Sequence, residues 1–227
     1  MVRMAKTSRP SKAKQQALVH QLIGKIDAQP EDYHAYYELV VLLTAGQDFE
    51  QAEALAMKAL GKFDHQQPAA DYLRYALGNV YYQAQTYDKA LPYYQQITDD
   101  QLKQDAYLMS AQALMAQHDY QHALVWAITA QEARPQQLDA NLLVADILLA
   151  LGNNQQASDY YQRAYKIDSQ SGRAAFNLGL TAMVLGKPYA TWFERAHKLD
   201  SQYFKSHQQQ LTDIEKMLAA QADNQNH

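Results

Sequence analysis

The residues of this sequence with the greatest potential for chemistry are its eight histidines and its clustered carboxylates. His118 and His122 are four residues apart, a spacing that would place both rings on one face of a continuous helix, as in some zinc sites. They flank Asp119-Tyr120, which is predicted to be a turn, and no glutamate of the zinc-protease type follows His118. Two ligands would leave a zinc site unfilled. We therefore predict turn residues here, with no metal and no cofactor.

Other catalytic groupings are missing from the sequence as well. The chain has no cysteine, which excludes disulfides, a thiolate nucleophile and zinc sites of the cysteine type. It has neither a glycine-rich phosphate loop of the common spacings nor a Gly-x-Ser-x-Gly elbow. Asp99 and Asp100 are adjacent at a predicted helix end, where a solvated pair is expected. We therefore predict that the protein is not an enzyme.

Composition and charge favour a folded, cytoplasmic protein. With 227 residues and 48% hydrophobic content, the chain can bury a sizeable core. The sequence shows neither a secretory signal nor a run long enough to span a membrane. Residues 1–25 hold six of the 20 basic residues and no acid, which leaves 14 basic against 24 acidic residues in the remainder. An acidic body argues against nucleic acid as the main partner, although the basic arm keeps that alternative open.

The elements that position these residues recur about every 34 residues. Four short segments, each closing on an alanine, align with one another, and the alanines are 38, 33 and 34 residues apart: Ala52, Ala90, Ala123 and Ala157. A fixed period in this range indicates a stacked array in which each unit buries its apolar face against its neighbours.

Each unit is predicted to be a pair of helices. In residues 138–171, apolar residues recur at helical spacing from Leu142 to Leu151, stop at Gly152-Asn153-Asn154, and recur again from Ala157 to Ile167. Glycine and asparagine tolerate the left-handed backbone that ends a helix. Small residues hold one position of the first helices: Gly78, Ala111, Ala145 and Gly179. Large residues alternate with them, which predicts close contact between the helices.

This order of large, small and aromatic residues resembles the tetratricopeptide repeat. The closest copy is Leu77-Gly78-Asn79-Val80-Tyr81-Tyr82, followed by Tyr87-Asp88-Lys89-Ala90 and Tyr93-Tyr94. The resemblance implies an all-α, right-handed superhelical array of antiparallel helix pairs. We expect one domain over residues 10–220, with a helix at 11–28, repeats at about 33–66, 71–104, 104–137, 138–171 and 172–203, and a capping helix at 203–220. Residues 1–9 and 221–227 are expected to be disordered tails.

In this family the first helices line a concave groove, and the resemblance implies that this groove binds a partner peptide or helix. The corresponding positions would form an apolar, aromatic surface: Tyr37, Val41, Tyr75, Asn79, Tyr82, Leu108, Gln112, Met115, Leu142, Asp146, Leu149, Phe176, Leu180 and Met183. Some of these residues could instead pack within their own helix pair.

The functional prediction is a non-catalytic scaffold with a protein or peptide partner, no membrane span and no cofactor. Two alternatives stay open. The basic N-terminal arm could contact nucleic acid or a ribonucleoprotein, or the protein could associate with itself through the groove or an incomplete cap.

Overall fold

In the computed structural model, the backbone is described for residues 12–225 and the side chains for residues 14–217. Within this part of the chain all regular structure is α-helical, as predicted, and forms successive helix pairs. No helix of this part is both long and apolar enough to cross a membrane. The predicted tail at 1–9 lies outside the described residues, as do residues 226 and 227.

The helices fall into two compact units, Met1–Gln117 and His118–His227. The first unit contains α1 (Lys12–Ala28), α2 (Tyr33–Ala45), α3 (Phe49–Phe63), α4 (Ala69–Gln83), α5 (Tyr87–Gln95) and α6 (Asp100–Ala116). The second contains α7 (Tyr120–Ala133), α8 (Leu138–Ala150), α9 (Asn154–Ile167), α10 (Gly172–Val184), α11 (Ala190–Leu199), α12 (Ser201–Ser206) and α13 (Gln208–Gln225). The predicted capping helix at 203–220 is thus two helices, which separate at His207 and continue to Gln225. The expectation of one domain over 10–220 stays a prediction.

Six of the thirteen described helices begin at a side-chain cap that the sequence supplies. An aspartate or serine accepts a hydrogen bond from a backbone N–H of the first turn, which satisfies one of the donors that a helix start leaves unpaired. Asp99 shows this most fully, because its Oδ1 accepts from the backbone N–H groups of both Gln101 and Leu102, at 3.1 and 3.0 Å. The capping residues of this kind are Asp32, Asp48, Asp99, Asp119, Ser171 and Asp200.

Five of the turns between successive helices contain one residue in the left-handed region. These residues are 38, 33, 34 and 34 positions apart, so the backbone follows the same period as the alanines: Gln47 (φ 66°), Gln85 (60°), His118 (61°), Gly152 (77°) and Gly186 (66°). Three of the five positions therefore place a side chain where glycine is favoured.

Small residues on the first helices receive aromatic rings from the second helices. A methyl group added at Gly78 would lie 2.5 Å from ring Cε1 of Tyr94, and one at Gly179 would lie 2.6 Å from ring Cε1 of Phe193. Both rings are almost fully buried. The predicted close contact between the two helices of a pair is therefore present in both units.

A buried carboxylate, Asp71 in α4, joins the start of this helix to the start of α6. Its side chain is fully buried, and Oδ2 accepts hydrogen bonds from the backbone N–H and hydroxyl of Thr98, both at 2.8 Å, and from the N–H of Asp99 at 2.7 Å. Oδ1 accepts from Gln67 and forms an ion pair with Arg74 at 3.1 Å. The charge is thus fully surrounded by donors, which offsets the cost of removing it from water.

Candidate protein-interaction surface

The first helices of unit 1 bring the predicted partner-binding residues of this unit to neighbouring positions. α2 packs against α4, and α4 packs against α6. Val41 is 40% exposed, and the other members are half-buried. We call this set the unit 1 surface: Tyr37, Val41, Tyr75, Asn79, Tyr82, Leu108, Gln112 and Met115.

Tyrosine rings dominate the unit 1 surface. The ring centroids of Tyr37 and Tyr72 are 5.5 Å apart with the planes at 85°, an edge-to-face arrangement. Tyr82 meets Tyr87 in the same way at 5.4 Å. Burial is the main cause that raises the pKa of the Tyr37 and Tyr82 hydroxyls, so both stay neutral at ordinary pH. These residues offer apolar ring area together with hydroxyl groups that can donate or accept hydrogen bonds.

Asn79, the polar position of this surface on α4, is held by its own helix pair. The hydroxyl of Tyr94, the residue whose ring fills the space at Gly78, donates a hydrogen bond to Asn79 Oδ1 at 2.8 Å. The carboxamide is therefore fixed in orientation by a buried side chain of α5. The rings around Asn79 supply apolar contact area to a ligand. An amide of fixed orientation beside them can add specificity through hydrogen bonds.

In unit 2, the charged residue among those predicted on α8 forms an ion pair. Asp146 is linked to Arg173 of α10 and accepts a hydrogen bond from the hydroxyl of Tyr161 at 2.7 Å. Burial raises the pKa of the Asp146 carboxyl, against the opposing effects of Arg173 and Tyr161. Of the two leucines predicted beside it, Leu142 is buried and Leu149 is half-buried.

The predicted positions on α10 are covered by the helices that follow. Phe176, Leu180 and Met183 are at most 5% exposed and form one core cluster. The rings of Tyr203 and Phe204 each lie 5.7 Å from the ring of Phe176, and Leu211 and Ile214 of α13 pack against the same cluster. In this structure α12 and α13 therefore occupy the face of α10 that the family resemblance assigned to a partner.

The two histidines with metal-ligand spacing have local partners. His118 Nδ1 lies 2.9 Å from the hydroxyl of Tyr120, and His122 Nδ1 lies 2.8 Å from Asp119 Oδ2. The hydrogen bond from His122 is the main cause that lowers the pKa of the Asp119 carboxyl. Across the described residues, no group of three or more histidine, aspartate or glutamate side chains is arranged to hold a metal ion.

The sequence analysis did not predict two residues that contact the predicted partner-binding residues, Tyr72 and Arg173. Tyr72 lies one helical turn before Tyr75, and its ring meets those of Tyr33, His34 and Tyr37. Its spacing from Tyr75 could have shown that it shares that face of α4. The partner of Asp146, Arg173, is 27 residues away, and no local pattern indicates that pairing.

Comparison with known proteins agrees with this architecture. A family model described as "Tetratricopeptide repeat" matches residues 45–106, 108–172 and 142–188. One similar solved structure is that of YrrB, described as a TPR protein with an unusual peptide-binding site. It has 19% sequence identity and a TM-score of 0.62, and the match covers 85% of this chain and 99% of YrrB. A structure of MamA has 18% identity and a TM-score of 0.63, with 78% of this chain and 96% of MamA covered. No curated protein sequence matches the chain.

Proposed function

Because this chain belongs to the tetratricopeptide repeat family, we propose that it is a non-catalytic cytoplasmic scaffold that binds a segment of a partner protein on the unit 1 surface. The observation that carries the proposal is the row of half-buried tyrosines on α2 and α4. They rest on one core cluster, and each keeps part of its ring exposed. Large aromatic side chains on a rigid base bind at a low cost in conformational entropy.

The partner segment is expected to be extended or helical, with apolar side chains that lie between the rings. Met115 of α6 supports this expectation, since a flexible thioether adapts to partners of different shape. YrrB, which has the same fold, is described as having a peptide-binding site. By analogy, we propose a peptide as the ligand class here.

The test is affinity purification with the full chain as bait, followed by mass spectrometry. Tyr82→Ala and Met115→Ala each remove one half-buried side chain of the unit 1 surface, and we expect both to lose the same captured proteins. Met57→Ala on α3 is the matched control, because Met57 is 48% exposed and lies on a second helix. Unchanged capture by both surface variants would refute the assignment of this surface.

Contact with nucleic acid or a ribonucleoprotein through the basic arm remains the competing proposal. Deletion of residues 1–14 separates the two ideas. A partner held by the arm would be lost, and its binding would fall steeply with salt because phosphate contacts release counterions. A partner held by the unit 1 surface would be retained at moderate salt.

A further inference from the structure

The second helices of two consecutive pairs in unit 2, α9 and α11, contain the same sequence motif. Two aromatic residues, a polar residue, arginine, alanine, a residue with a ring and lysine follow one another in both: Tyr160-Tyr161-Gln162-Arg163-Ala164-Tyr165-Lys166 and Trp192-Phe193-Glu194-Arg195-Ala196-His197-Lys198. The alanine and the second aromatic residue of each copy are buried. Arg163 and Arg195 are exposed, so packing in the core does not account for them.

Each of these arginines lies over the aromatic ring that precedes it by three residues. Cζ of Arg163 is 4.5 Å from the ring centroid of Tyr160, and Cζ of Arg195 is 5.3 Å from the ring centroid of Trp192. Both distances are within the roughly 6 Å at which the face of an aromatic ring attracts a cation. The two guanidinium groups therefore rest on half-buried rings.

Arg195 has a further contact, which comes from the neighbouring second helix. The ring of Tyr165 in α9 meets the ring of Trp192 edge to face, with the centroids 5.2 Å apart and the planes at 87°. Nη1 of Arg195 donates to the hydroxyl oxygen of Tyr165 at 3.5 Å. Side chains of α9 and α11 thus contact each other, and the two arginines hold equivalent positions on neighbouring helices.

Neither of the two arginines is paired with an acidic side chain. Within the part of the chain that the structure describes, Arg163 and Arg195 form no ion pair, whereas Arg74 and Arg173 each pair with aspartate. In α7, the second helix before α9, the corresponding residue is Thr129. A helix of this kind therefore forms without an arginine at that position, and the two cations remain available to a ligand.

The lysines of the motif have a structural explanation that the arginines lack. Lys166 and Lys198 lie in the last turns of α9 and α11, where a cation interacts favourably with the negative end of the helix dipole. Arg163 and Arg195 lie before those turns. The lysines add positive potential beside the arginines, but the arginines are the groups that the helices do not require.

A guanidinium group that is stacked on a ring keeps the N–H donors of its edge for hydrogen bonds in its own plane. These donors form a fork that matches the two oxygens of a carboxylate. The contact with the ring also restricts the side chain before a ligand arrives, which lowers the entropy cost of binding. Two such groups on neighbouring helices suit two carboxylates of one segment.

We propose that Arg163 and Arg195 form a second interaction site of this protein, which binds an acidic segment of a partner protein through two of its carboxylates. The site lies in unit 2. It is different from the unit 1 surface and does not depend on it.

The surroundings favour an acidic protein segment over a nucleic acid. Asp159 and Glu194 are exposed on the same two helices, and unit 2 has 9 basic and 11 acidic residues over 118–227. A nucleic acid has a charge at every step of its backbone, so these carboxylates would repel it. The arginines also cover one face of the rings of Tyr160 and Trp192, which reduces the area on which bases could stack. A peptide can place carboxylates at the arginines alone.

The experiment measures the fluorescence anisotropy of a fluorescein-labelled octaglutamate peptide with the full chain at about 0.15 M salt. We expect saturable binding. The double variant Arg163→Gln and Arg195→Gln should raise the Kd by about tenfold or more, because it removes charge-assisted hydrogen bonds to two carboxylates.

The matched control is the double variant Lys205→Gln and Lys216→Gln. It removes the same number of exposed cations from α12 and α13 of the same unit. Because distant exposed charges are screened at this salt concentration, we expect the Kd to change by less than about twofold. All four side chains are exposed, so helix content measured by circular dichroism should be the same in both variants.

Replacing the two arginines with lysine separates the stacked geometry from charge alone. Arg163→Lys and Arg195→Lys keep both positive charges but lose the planar fork, and we expect the Kd to rise by about fivefold. An unchanged Kd would refute the site, because any exposed cation would then serve.

Three other results would overturn the proposal. One is the absence of saturable binding by the natural sequence, and another is an equal loss of affinity in the control variant. The third is tighter binding of a labelled single-stranded RNA of eight nucleotides that is lost in the glutamine variant, which would assign the two arginines to nucleic acid.

Discussion

At the scale of single residues, the left-handed turn positions offer a direct test of the backbone. Gln85 is exposed and has φ near 60°, whereas the equivalent residue of a later pair is Gly152. Holding a non-glycine residue in this conformation costs about 1–2 kcal/mol of folding free energy. Glycine avoids that cost, but it loses more conformational entropy on folding, so the net gain from a glycine is smaller. We predict that Gln85→Gly raises the free energy of unfolding by about 0.5–1 kcal/mol, measured by urea denaturation. Gly152→Ala is the control and should lower it by a similar amount.

The buried carboxylate of Asp71 makes stability depend on acid pH. Burial acts to raise its pKa, but the hydrogen bonds from Thr98, Asp99 and Gln67 together outweigh this effect and hold the pKa below the ordinary value. A lowered pKa in the folded state means that the stabilisation is present above the unfolded pKa, near pH 4, and is lost as the pH falls through the folded value.

We therefore predict that Asp71→Asn lowers the free energy of unfolding at pH 7 by about 2–4 kcal/mol, because an amide NH₂ must then face hydrogen-bond donors. The difference between the variant and the natural protein should shrink as the pH falls below about 4. Thermal melts between pH 3 and 7 measure it. A constant difference over that range would contradict this account of Asp71.

The sequence predicted some of these residue-level features and missed others for a physical reason. The turn at Gly152 could be predicted from the residue type, because glycine readily adopts a left-handed backbone. The same turn at Gln85 and His118 shows only through the period of the chain. The partners of Asp71 lie 27 and 28 residues away, in a turn that packs on α4 only after folding.

At the scale of helices, the contact between a small residue and an aromatic ring sets the helix spacing. Adding a methyl group at Gly78 would force the buried ring of Tyr94 to move. We predict that Gly78→Ala costs about 1–3 kcal/mol in spite of the better helix propensity of alanine. In Gly61→Ala, which adds a methyl group to an exposed position of α3 with no atom within 4 Å, we predict a gain of about 0.5–1 kcal/mol. Chemical denaturation of both variants gives the comparison, and a loss of stability in both would contradict it.

Helix order and the small-residue positions were predictable because they depend on local periodicity. The packing of α12 and α13 over α10 was not predictable in this way. Phe176 occupies a position that the family resemblance assigned to a partner, and the pattern of α10 alone does not show that Tyr203 and Phe204 will cover it. A capping helix over residues 203–220 was predicted, but its sequence does not show that Leu211 and Ile214 pack against the core cluster of α10.

At the scale of the whole molecule, the two compact units can be followed separately. Both tryptophans, Trp126 and Trp192, lie in the second unit. In a repeat array, a local destabilisation need not spread through every repeat. We predict that Gly78→Ala, which acts in the first unit, shifts the urea midpoint seen by circular dichroism more than the midpoint seen by tryptophan fluorescence. Identical shifts by the two probes would indicate a single cooperative unfolding transition.

The division into two units has a practical consequence for spectroscopy. The natural sequence has no cysteine, so introduced cysteines supply the only thiols in the protein. Gln51 of α3 and Gln155 of α9 are exposed and lie in different units. A nitroxide spin label on a cysteine at each site would report the distance between the units in solution. The width of that distance distribution would show how widely the separation of the two labelled sites varies, with and without a bound ligand.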